Sequence, residues 1–180
     1  MIFSYSEALS RFKSAYQIAK AVEDKQLYKL EEGIYSDLQY YSEIGIIAKK
    51  YPSAVFTGES AFYYHDLTDL VPEKYVLATK SKAAKINDDR IIQVYVPESI
   101  FELGIITKEI NGASISIYDK ERMLIELLRN KNKLPYDLYK EVLYKYRNMM
   151  ESLQIWRIQE YADIFPKSKM IKKALDEEVL

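Results

Sequence analysis

The stretch that most constrains the fold is residues 14–36, because its sequence, SAYQIAKAVEDKQLYKLEEGIYS, predicts a short helix followed by a two-stranded hairpin. Residues 27–30 and 34–36 have strand character. They flank Glu31-Glu32-Gly33, where the glycine can take the positive φ that a tight hairpin needs. In the preceding helix, apolar side chains recur every three or four residues, a spacing that places them on one buried face. These are Ala15, Ile18, Ala19 and Val22.

The opposite face of this helix carries side chains that can read DNA. Tyr16, Gln17 and Lys20 fall there and are expected to point outward. Such a helix next to a hairpin is the layout of a winged helix-turn-helix, in which the hairpin is the wing. The same pattern also fits a helix and hairpin with no DNA-binding role, in which Gln17 closes a capping box with Ser14. Both interpretations are open at this point.

A first helix is predicted over residues 5–13. Ser4 and Glu7 have the capping-box spacing, and apolar residues follow at Ala8, Leu9 and Phe12. It would support the second helix in a reduced winged helix-turn-helix domain of residues 1–36. A segment of 36 residues does not bury enough surface to fold alone. We therefore expect it to pack against a larger domain of residues 37–180.

Composition narrows the class of protein. The chain has 180 residues, 48% of them hydrophobic and 29% charged, which is enough for a substantial core. It has no cysteine, which excludes disulfides, thiolate metal sites and thiol nucleophiles. With no apolar run of membrane-spanning length and no signal-peptide pattern, we expect a cytoplasmic protein that does not bind membranes.

The overall charge is close to neutral, but basic residues are concentrated near the C-terminus. A formal charge of −1 and a pI near 6.0 are unlike those of a strongly basic nucleic-acid binder. Residues 131–173, however, contain ten Lys or Arg against five Asp or Glu. Lys169, Lys172 and Lys173 in this segment are therefore possible phosphate contacts.

The rest of the chain predicts an α+β domain. Short helices are expected over residues 42–51 and 57–66 around a strand at 55–56. A mostly antiparallel sheet of about four strands should follow, with Asn111-Gly112 as a two-residue hairpin turn. The predicted strands cover residues 75–78, 91–96, 104–110 and 113–118, and C-terminal helices are predicted over residues 136–149, 152–165 and 167–179. The basic linker between the first two of these strands is either a solvated loop or a phosphate contact; it holds Lys80, Lys82, Lys85 and Arg90.

Candidate catalytic residues have structural interpretations that we favour. His65 is the only histidine and more simply forms a hydrogen bond at a helix end. Asp119 should cap a helix in which Arg122 and Glu126 form an ordinary i,i+4 ion pair. The Gly58-Glu59-Ser60 turn lacks the two following carboxylates with which a nucleotidyltransferase holds magnesium. We therefore expect no enzyme activity, no metal and no cofactor.

Three runs in the chain resemble the AbiEi family, the antitoxins of bacterial type IV toxin-antitoxin (abortive infection) systems that act in phage defence. They are KLEEGIYS, IIAKKYPSAVFTGESAFYYHDLTD and SIYDKERMLIELLRN, and they occur in the family's order. The resemblance implies a DNA-binding antitoxin that also represses transcription of its own operon. It implies a nucleotidyltransferase-like toxin as the functional partner, opposed without a stable complex. It gives the Asp-x-Glu-Arg run at residues 119–122 an architectural role.

The winged-domain hypothesis assigns DNA contacts. Gln17 and Lys20 would meet base edges of the promoter, and Tyr16 a thymine methyl or a phosphate. Contacts to phosphates are expected from Ser14, Lys25 and Lys29. The family often has a basic residue before the wing glycine, whereas here Glu31 and Glu32 would repel phosphate.

Two other functions stay open from the sequence. The chain could be a protein-protein module that neutralises the toxin by direct contact. It could instead be a nucleotidyltransferase-like enzyme, for which Gly58-Glu59-Ser60 is the nearest match.

Overall fold

The computed structural model describes residues 1–179, which form two compact units. The first unit combines Met1–Ala54 with Thr107–Ser116, and the second combines Val55–Ile106 with the residues from Ile117 onward. Helices and strands occur in both, in agreement with the predicted α+β class. The first unit is larger than the 36-residue domain expected from the sequence, because it also takes in a third helix and part of a later hairpin.

The chain begins with a strand, two helices and a hairpin. These elements are β1 (Ile2–Ser4), α1 (Tyr5–Phe12), α2 (Ala15–Glu23), β2 (Tyr28–Glu31) and β3 (Ile34–Ser36). The three strands form an antiparallel sheet in the order β1-β3-β2. The two helices and the hairpin confirm the predictions to within one residue at each end. Strand β1 was not predicted, since three residues are too short for a periodic pattern to show.

The hairpin is tighter than the sequence suggested. Glu31 pairs with Ile34, so that Glu32 and Gly33 alone make the loop, and Gly33 has a φ of 74°. Strand β2 starts at Tyr28, one residue later than predicted, because Leu27 is buried in the core instead. The backbone N–H of Leu27 donates to the carbonyl oxygen of Ala21 at 3.1 Å, which anchors the turn after α2.

A third helix, α3 (Glu43–Lys50), completes the first unit together with residues 107–116. Ile44 and Ile47 are buried as predicted, whereas Ala48 is only half-buried. Gly45 lies where a Cβ would approach the Tyr41 ring to 2.5 Å, so this helix packs closely only because the position is glycine.

The larger sheet has five strands of mixed direction. They are β4 (Val55–Phe56), β5 (Tyr75–Lys80), β6 (Ile91–Val96), β7 (Ile105–Ile110) and β8 (Ala113–Tyr118), in the order β6-β5-β4-β8-β7. β4 is antiparallel to β5 but parallel to β8, and β5 is parallel to β6. The predicted mostly antiparallel sheet of about four strands was therefore wrong. Tyr75 pairs with Ile91, so the linker of residues 81–90 carries the chain back to the start of β5, a return that strand periodicity does not reveal.

Six helices occur among the described residues of the second unit. They are α4 (Gly58–Tyr64), α5 (Glu98–Phe101), α6 (Lys120–Arg129), α7 (Tyr136–Met149), α8 (Ile155–Ile164) and α9 (Ser168–Ala174). Only the single-turn helix α5 was not predicted. Helix α8 starts three residues later than expected because residues 150–152 form a separate 3-10 turn. After α9, Leu175–Val179 continue as a π-helix.

Arg122 is the largest fully buried side chain of the described residues. Its Nη1 donates to the carbonyl oxygens of Ile100 and Leu103, each at 2.5 Å, and its guanidinium carbon lies 3.4 Å from the centre of the Tyr118 ring. The predicted pair with Glu126 is present, with 3.5 Å between Arg122 Nη2 and Glu126 Oε1. This confirms the predicted i,i+4 ion pair and shows in addition that it is buried, since Arg122 has no exposure.

Asp119 caps α6 as predicted and also links it to α8. Its Oδ1 accepts from the backbone N–H of Arg122 at 2.7 Å, and its Oδ2 accepts from the Tyr161 hydroxyl at 2.9 Å. Burial raises the pKa of Asp119 above its ordinary value, against the lowering effect of these hydrogen bonds. Gly104 has a φ of 75°, and a Cβ there would lie 3.0 Å from Asp119 Oδ1, so the cap and the glycine depend on each other.

Over residues 1–179, no helix combines the length and apolar character needed to cross a membrane.

We expect Arg122→Ala to lower the free energy of unfolding by about 3 to 5 kcal/mol, because it leaves a cavity, removes one of the two arginines that pair with Glu126, and leaves the carbonyl oxygens of Ile100 and Leu103 without this donor. Urea unfolding followed by the fluorescence of Trp156, the only tryptophan, would measure this. Arg147→Ala is the matched control, since Arg147 is exposed and makes one hydrogen bond to the Glu178 carbonyl oxygen. It should cost less than about 1 kcal/mol. Equal destabilisation of the two variants would contradict a structural role specific to Arg122.

Candidate nucleic-acid interface

Helix α2 begins at a tight turn that fixes its direction. Lys13 ends α1 in the left-handed conformation, with a φ of 67°, and its N–H donates to the Leu9 carbonyl oxygen at 2.7 Å. One residue later, Ser14 caps α2, and its Oγ accepts from the backbone N–H of Gln17 at 3.2 Å. The backbone half of the predicted capping box is thus formed. A Ser14 hydroxyl used as an acceptor can still donate its hydrogen to a phosphate.

The buried face of α2 differs from the predicted one. Ile18 and Ala21 are buried and Val22 is half-buried, whereas Ala15 and Ala19 are exposed. The prediction for these two alanines was wrong. The helix turns toward the core that contains Leu27, and Ala21 faces this core in place of Ala15 and Ala19. The core of this part consists of Phe3, Ala8, Ile18, Ala21, Leu27 and Tyr35.

The outward face of α2 carries the three predicted residues. Tyr16 is 72% exposed, and Gln17 and Lys20 are also exposed. Within residues 1–179, none of these three side chains forms a hydrogen bond or an ion pair with another residue. The exposed Ala15 and Ala19 lie among them. This face therefore has unpaired polar groups that are accessible to another molecule.

The glutamates of the hairpin tip are each neutralised by a lysine. Glu32 accepts from Lys29 Nζ at 3.0 Å, and this hydrogen bond raises the pKa of Lys29. Glu31 accepts from Lys50 Nζ at 3.1 Å. The expected repulsion of phosphate by Glu31 and Glu32 is thus reduced, but Lys29 would have to leave Glu32 to contact a phosphate.

Charge in the N-terminal segment is balanced. Residues 1–36 contain five Lys or Arg and five Asp or Glu. Lys25 is exposed in the turn after α2, where its φ is 56°. A broad basic surface is absent from this segment as the structure describes it, so any DNA contact here would rest on individual side chains and on shape.

The three lysines predicted as phosphate contacts near the C-terminus lie in the second unit, and they differ in whether a carboxylate pairs with them. Lys172 pairs with Asp163, and Lys173 Nζ is 3.7 Å from Glu177 Oε1. Lys169 is exposed, and no described residue pairs with it. The excess of lysine in the sequence is therefore partly neutralised by neighbouring carboxylates.

The lysines of the linker of residues 81–90 are exposed, which fits both the solvated loop and the phosphate contact considered from the sequence. Lys82 and Lys85 are exposed, whereas Arg90 forms a two-point contact with the carboxylate of Asp88 at 2.9 and 2.8 Å. Lys80, at the end of β5, pairs with Glu102 at 2.8 Å.

Two of the residues considered for catalysis, His65 and Ser60, are buried and hydrogen-bonded. His65 ends α4, and its Nε2 donates to the Tyr118 carbonyl oxygen at 2.7 Å, which confirms the predicted hydrogen bond. Ser60 Oγ accepts from the backbone N–H of Val76 at 2.8 Å. Among the described residues there is no group of three or more His, Cys, Asp and Glu able to hold a metal ion.

Sequence reasoning missed the ion pairs that tie α3 to the N-terminal elements. Lys49 pairs with Glu7 of α1 at 2.7 Å, and Lys50 pairs with Glu31 of β2. The Lys49 hydrogen bond lowers the pKa of Glu7, the residue that also closes the capping box with Ser4. No local pattern could show these pairs, because their partners are 42 and 19 residues apart in the chain.

Comparison with known proteins gives no family: no protein-family model matches the chain, and no curated protein sequence matches it.

We expect the outward face of α2 to tolerate truncation. Tyr16→Ala, Gln17→Ala and Lys20→Ala should each change the free energy of unfolding by less than about 0.5 kcal/mol, because these side chains make no contact that stabilises the fold. Ile18→Ala should cost about 2 to 4 kcal/mol through the cavity that it leaves. Chemical denaturation of the four variants, followed by far-ultraviolet circular dichroism, tests the assignment. A large destabilisation in any outward variant would show that this face is packed.

Proposed function

We propose that the protein is a DNA-binding antitoxin that represses transcription of its own type IV toxin-antitoxin operon. The observation that carries the DNA-binding part is the outward face of α2, where Tyr16, Gln17 and Lys20 are exposed and unpaired on a capped helix. Surfaces that recognise DNA need such unpaired polar groups on a rigid element.

The order of elements supports a reduced winged helix-turn-helix. Two helices joined by a two-residue turn lead into a hairpin, and β1 adds to the hairpin sheet beside β3. In this proposal α1 is the support helix, α2 the recognition helix and the β2-β3 hairpin the wing. Residues 1–36 are too few to hold this geometry alone, and the ion pairs of Lys49 and Lys50 with α1 and β2 supply external support.

The side chains on α2 suit the major groove. Gln17 can pair with adenine through two hydrogen bonds, and Lys20 can donate to guanine. Tyr16 would pack on a thymine methyl or donate to a phosphate, and Ser14 and Lys25 would contact phosphates. Lys29 would contact a phosphate only when it breaks its hydrogen bond to Glu32.

The antitoxin part of the proposal rests on the resemblance of the three runs to the AbiEi family. The third run includes Asp119 and Arg122, and the caps and buried hydrogen bonds of these residues agree with the architectural role that the resemblance implies. The partner would be a nucleotidyltransferase-like toxin, opposed in the cytoplasm without a stable complex. The proposal assigns binding and no catalytic turnover, in keeping with the burial and hydrogen bonding of Ser60.

We expect the double variant Gln17→Ala, Lys20→Ala to bind the operon's promoter more weakly, by about 1 to 3 kcal/mol for each base interaction that is removed. Fluorescence anisotropy with promoter DNA and with a scrambled duplex of equal length would measure it. Affinity for the scrambled duplex should change less, because base contacts carry the sequence preference. Equal promoter affinity of the wild type and this variant would contradict the assignment of α2 as the recognition helix.

Variants of the wing provide a control on phosphate binding. Lys29→Ala should weaken binding to both duplexes alike and flatten the log-log salt slope by about 0.9, because one phosphate is no longer neutralised. Glu32→Gln should strengthen binding to both duplexes, since it releases Lys29 and removes a negative charge.

We also expect repression and protection from the toxin to be separable. The Gln17→Ala, Lys20→Ala protein, expressed from a foreign promoter beside its toxin, should still protect cells although it no longer represses its own promoter. The reason is that the two changes affect only the outward face of α2 and leave the second unit intact. Growth with induced toxin and a promoter-reporter assay measure the two activities in one strain.

Failure of this folded variant to protect would mean that both activities use the same surface. Gel filtration of the toxin with the wild-type protein then distinguishes the alternatives. Co-elution at equal stoichiometry would favour neutralisation by direct contact, and separate elution would favour the proposed type IV behaviour.

A further inference from the structure

The second unit contains a cavity of about 580 Å³ that the proposed DNA-binding function does not use. It lies between the sheet edge strand β6, helix α4 and the C-terminal end of α6. Its volume falls in the range of about 300 to 1,000 Å³ that is usual for small-molecule sites. All of its lining residues belong to this one compact unit.

Most of the cavity wall is apolar. Phe62, Val76 and Met123 are buried at its inner side. Ile92 and Val94 line its open side from alternate positions of β6 and remain 49% and 39% exposed. Partly exposed aliphatic side chains beside a concavity of this size are the environment in which the hydrophobic body of a ligand is stabilised.

A row of polar side chains forms another wall of the cavity. Glu126, Arg129, Asn130 and Lys133 follow one another at one-, three- and four-residue spacing along α6 and the turn after it. Glu126 is already compensated, because Arg129 Nη1 and Asn130 Nδ2 each lie 3.2 Å from its Oε2 and Arg122 lies 3.5 Å from its Oε1. Among the lining residues of this row, the charges of Glu126 and Arg129 offset each other, so that the net charge of the row comes from Lys133.

Lys133 supplies the net positive charge of this row. It is exposed at the rim, and no described residue pairs with it. Glu59 of α4 is the other charged residue of the lining; it belongs to a different element from Lys133, and both side chains are exposed to solvent, which screens their charges alike. The lining therefore favours a negatively charged group near Lys133.

Inside the cavity, Thr57 has a hydroxyl that is poorly satisfied. The residue is 7% exposed, and its Oγ1 donates only to the thioether sulfur of Met123 at 3.8 Å. Sulfur is a weak acceptor, so an oxygen of a ligand would be a better partner for this hydroxyl. Apolar walls, one buried donor and a cation at the rim are complementary to a molecule with an apolar body and a polar, anionic end.

We infer that this cavity is a binding site for a small amphipathic anion, that is, a compact aromatic or aliphatic molecule with one carboxylate, sulfonate or phosphate group. The apolar body would contact Val76, Val94 and Met123. The anionic group would lie beside Lys133. The inference does not depend on the proposed function, because it concerns neither DNA nor the toxin.

Two fluorescent probes with the same aromatic body test it on the full-length protein. The anion is 8-anilinonaphthalene-1-sulfonate, and the neutral analogue is N-phenyl-1-naphthylamine. We expect saturable binding of the sulfonate at one site per chain. Lys133→Glu should lower the affinity for the sulfonate by about tenfold and leave the affinity for the neutral probe nearly unchanged, because only the charge at the rim is altered.

Lys82→Glu is the matched control, since Lys82 is exposed in the linker of residues 81–90, away from the cavity lining. It has the same effect on net charge and should leave both affinities unchanged. Equal weakening of the sulfonate by the two variants would show a general charge effect and would overturn the assignment to Lys133.

A second variant tests the location. Val94→Trp should fill part of the cavity and weaken both probes by about tenfold or more, and Ile92→Trp serves if Val94→Trp does not fold by circular dichroism and thermal unfolding. Unchanged affinities in a folded tryptophan variant would place the probes elsewhere. That result, or the absence of saturable binding to the wild type, would overturn the inference.

Discussion

The buried guanidinium of Arg122 is the constraint on which the second unit depends. A cation without exposure is tolerated only when hydrogen bonds and an opposite charge replace its water. Here the carbonyl oxygens of Ile100 and Leu103, the Tyr118 ring and Glu126 supply this environment. Each of these groups must therefore stay in place for the unit to fold, which fixes the segment after α5 against α6.

The same arrangement extends to the neighbouring helices through Asp119 and Glu121. Asp119 caps α6 and accepts from Tyr161 of α8, while Glu121 Oε1 accepts from the backbone N–H of Gln154 at 2.9 Å. The start of α6 thus contacts α8 at two points, its N-cap residue Gln154 and Tyr161, through one partly buried and one buried hydrogen bond. The residues of the Asp-x-Glu-Arg run thus form a helix cap and hydrogen bonds between elements.

The first unit is stabilised in a different way. Its core is small, and α3 is connected to the N-terminal elements by Lys49–Glu7 and Lys50–Glu31. Such partly exposed pairs contribute less than about 1 kcal/mol each and weaken with salt. The Lys50–Glu31 pair also offsets a negative charge of the hairpin, and the outward face of α2 keeps its polar groups unpaired. This division explains how a segment without net charge can still present a candidate DNA-binding surface.

The sequence by itself determined the local structure: the caps at Ser4, Ser14 and Asp119, the helices that follow them, and the turn at Gly33. It also placed Tyr16, Gln17 and Lys20 on an exposed face. These features depend on residues within one or two turns of each other, so a spacing pattern contains them. Only the tertiary structure decided the parallel pairing of β5 with β6, the burial of Arg122, the exposure of Ala15 and Ala19, and the cavity beside β6. Each of these is set by contacts between residues far apart in the chain, where the order of the strands and the packing of helices outweigh local preference.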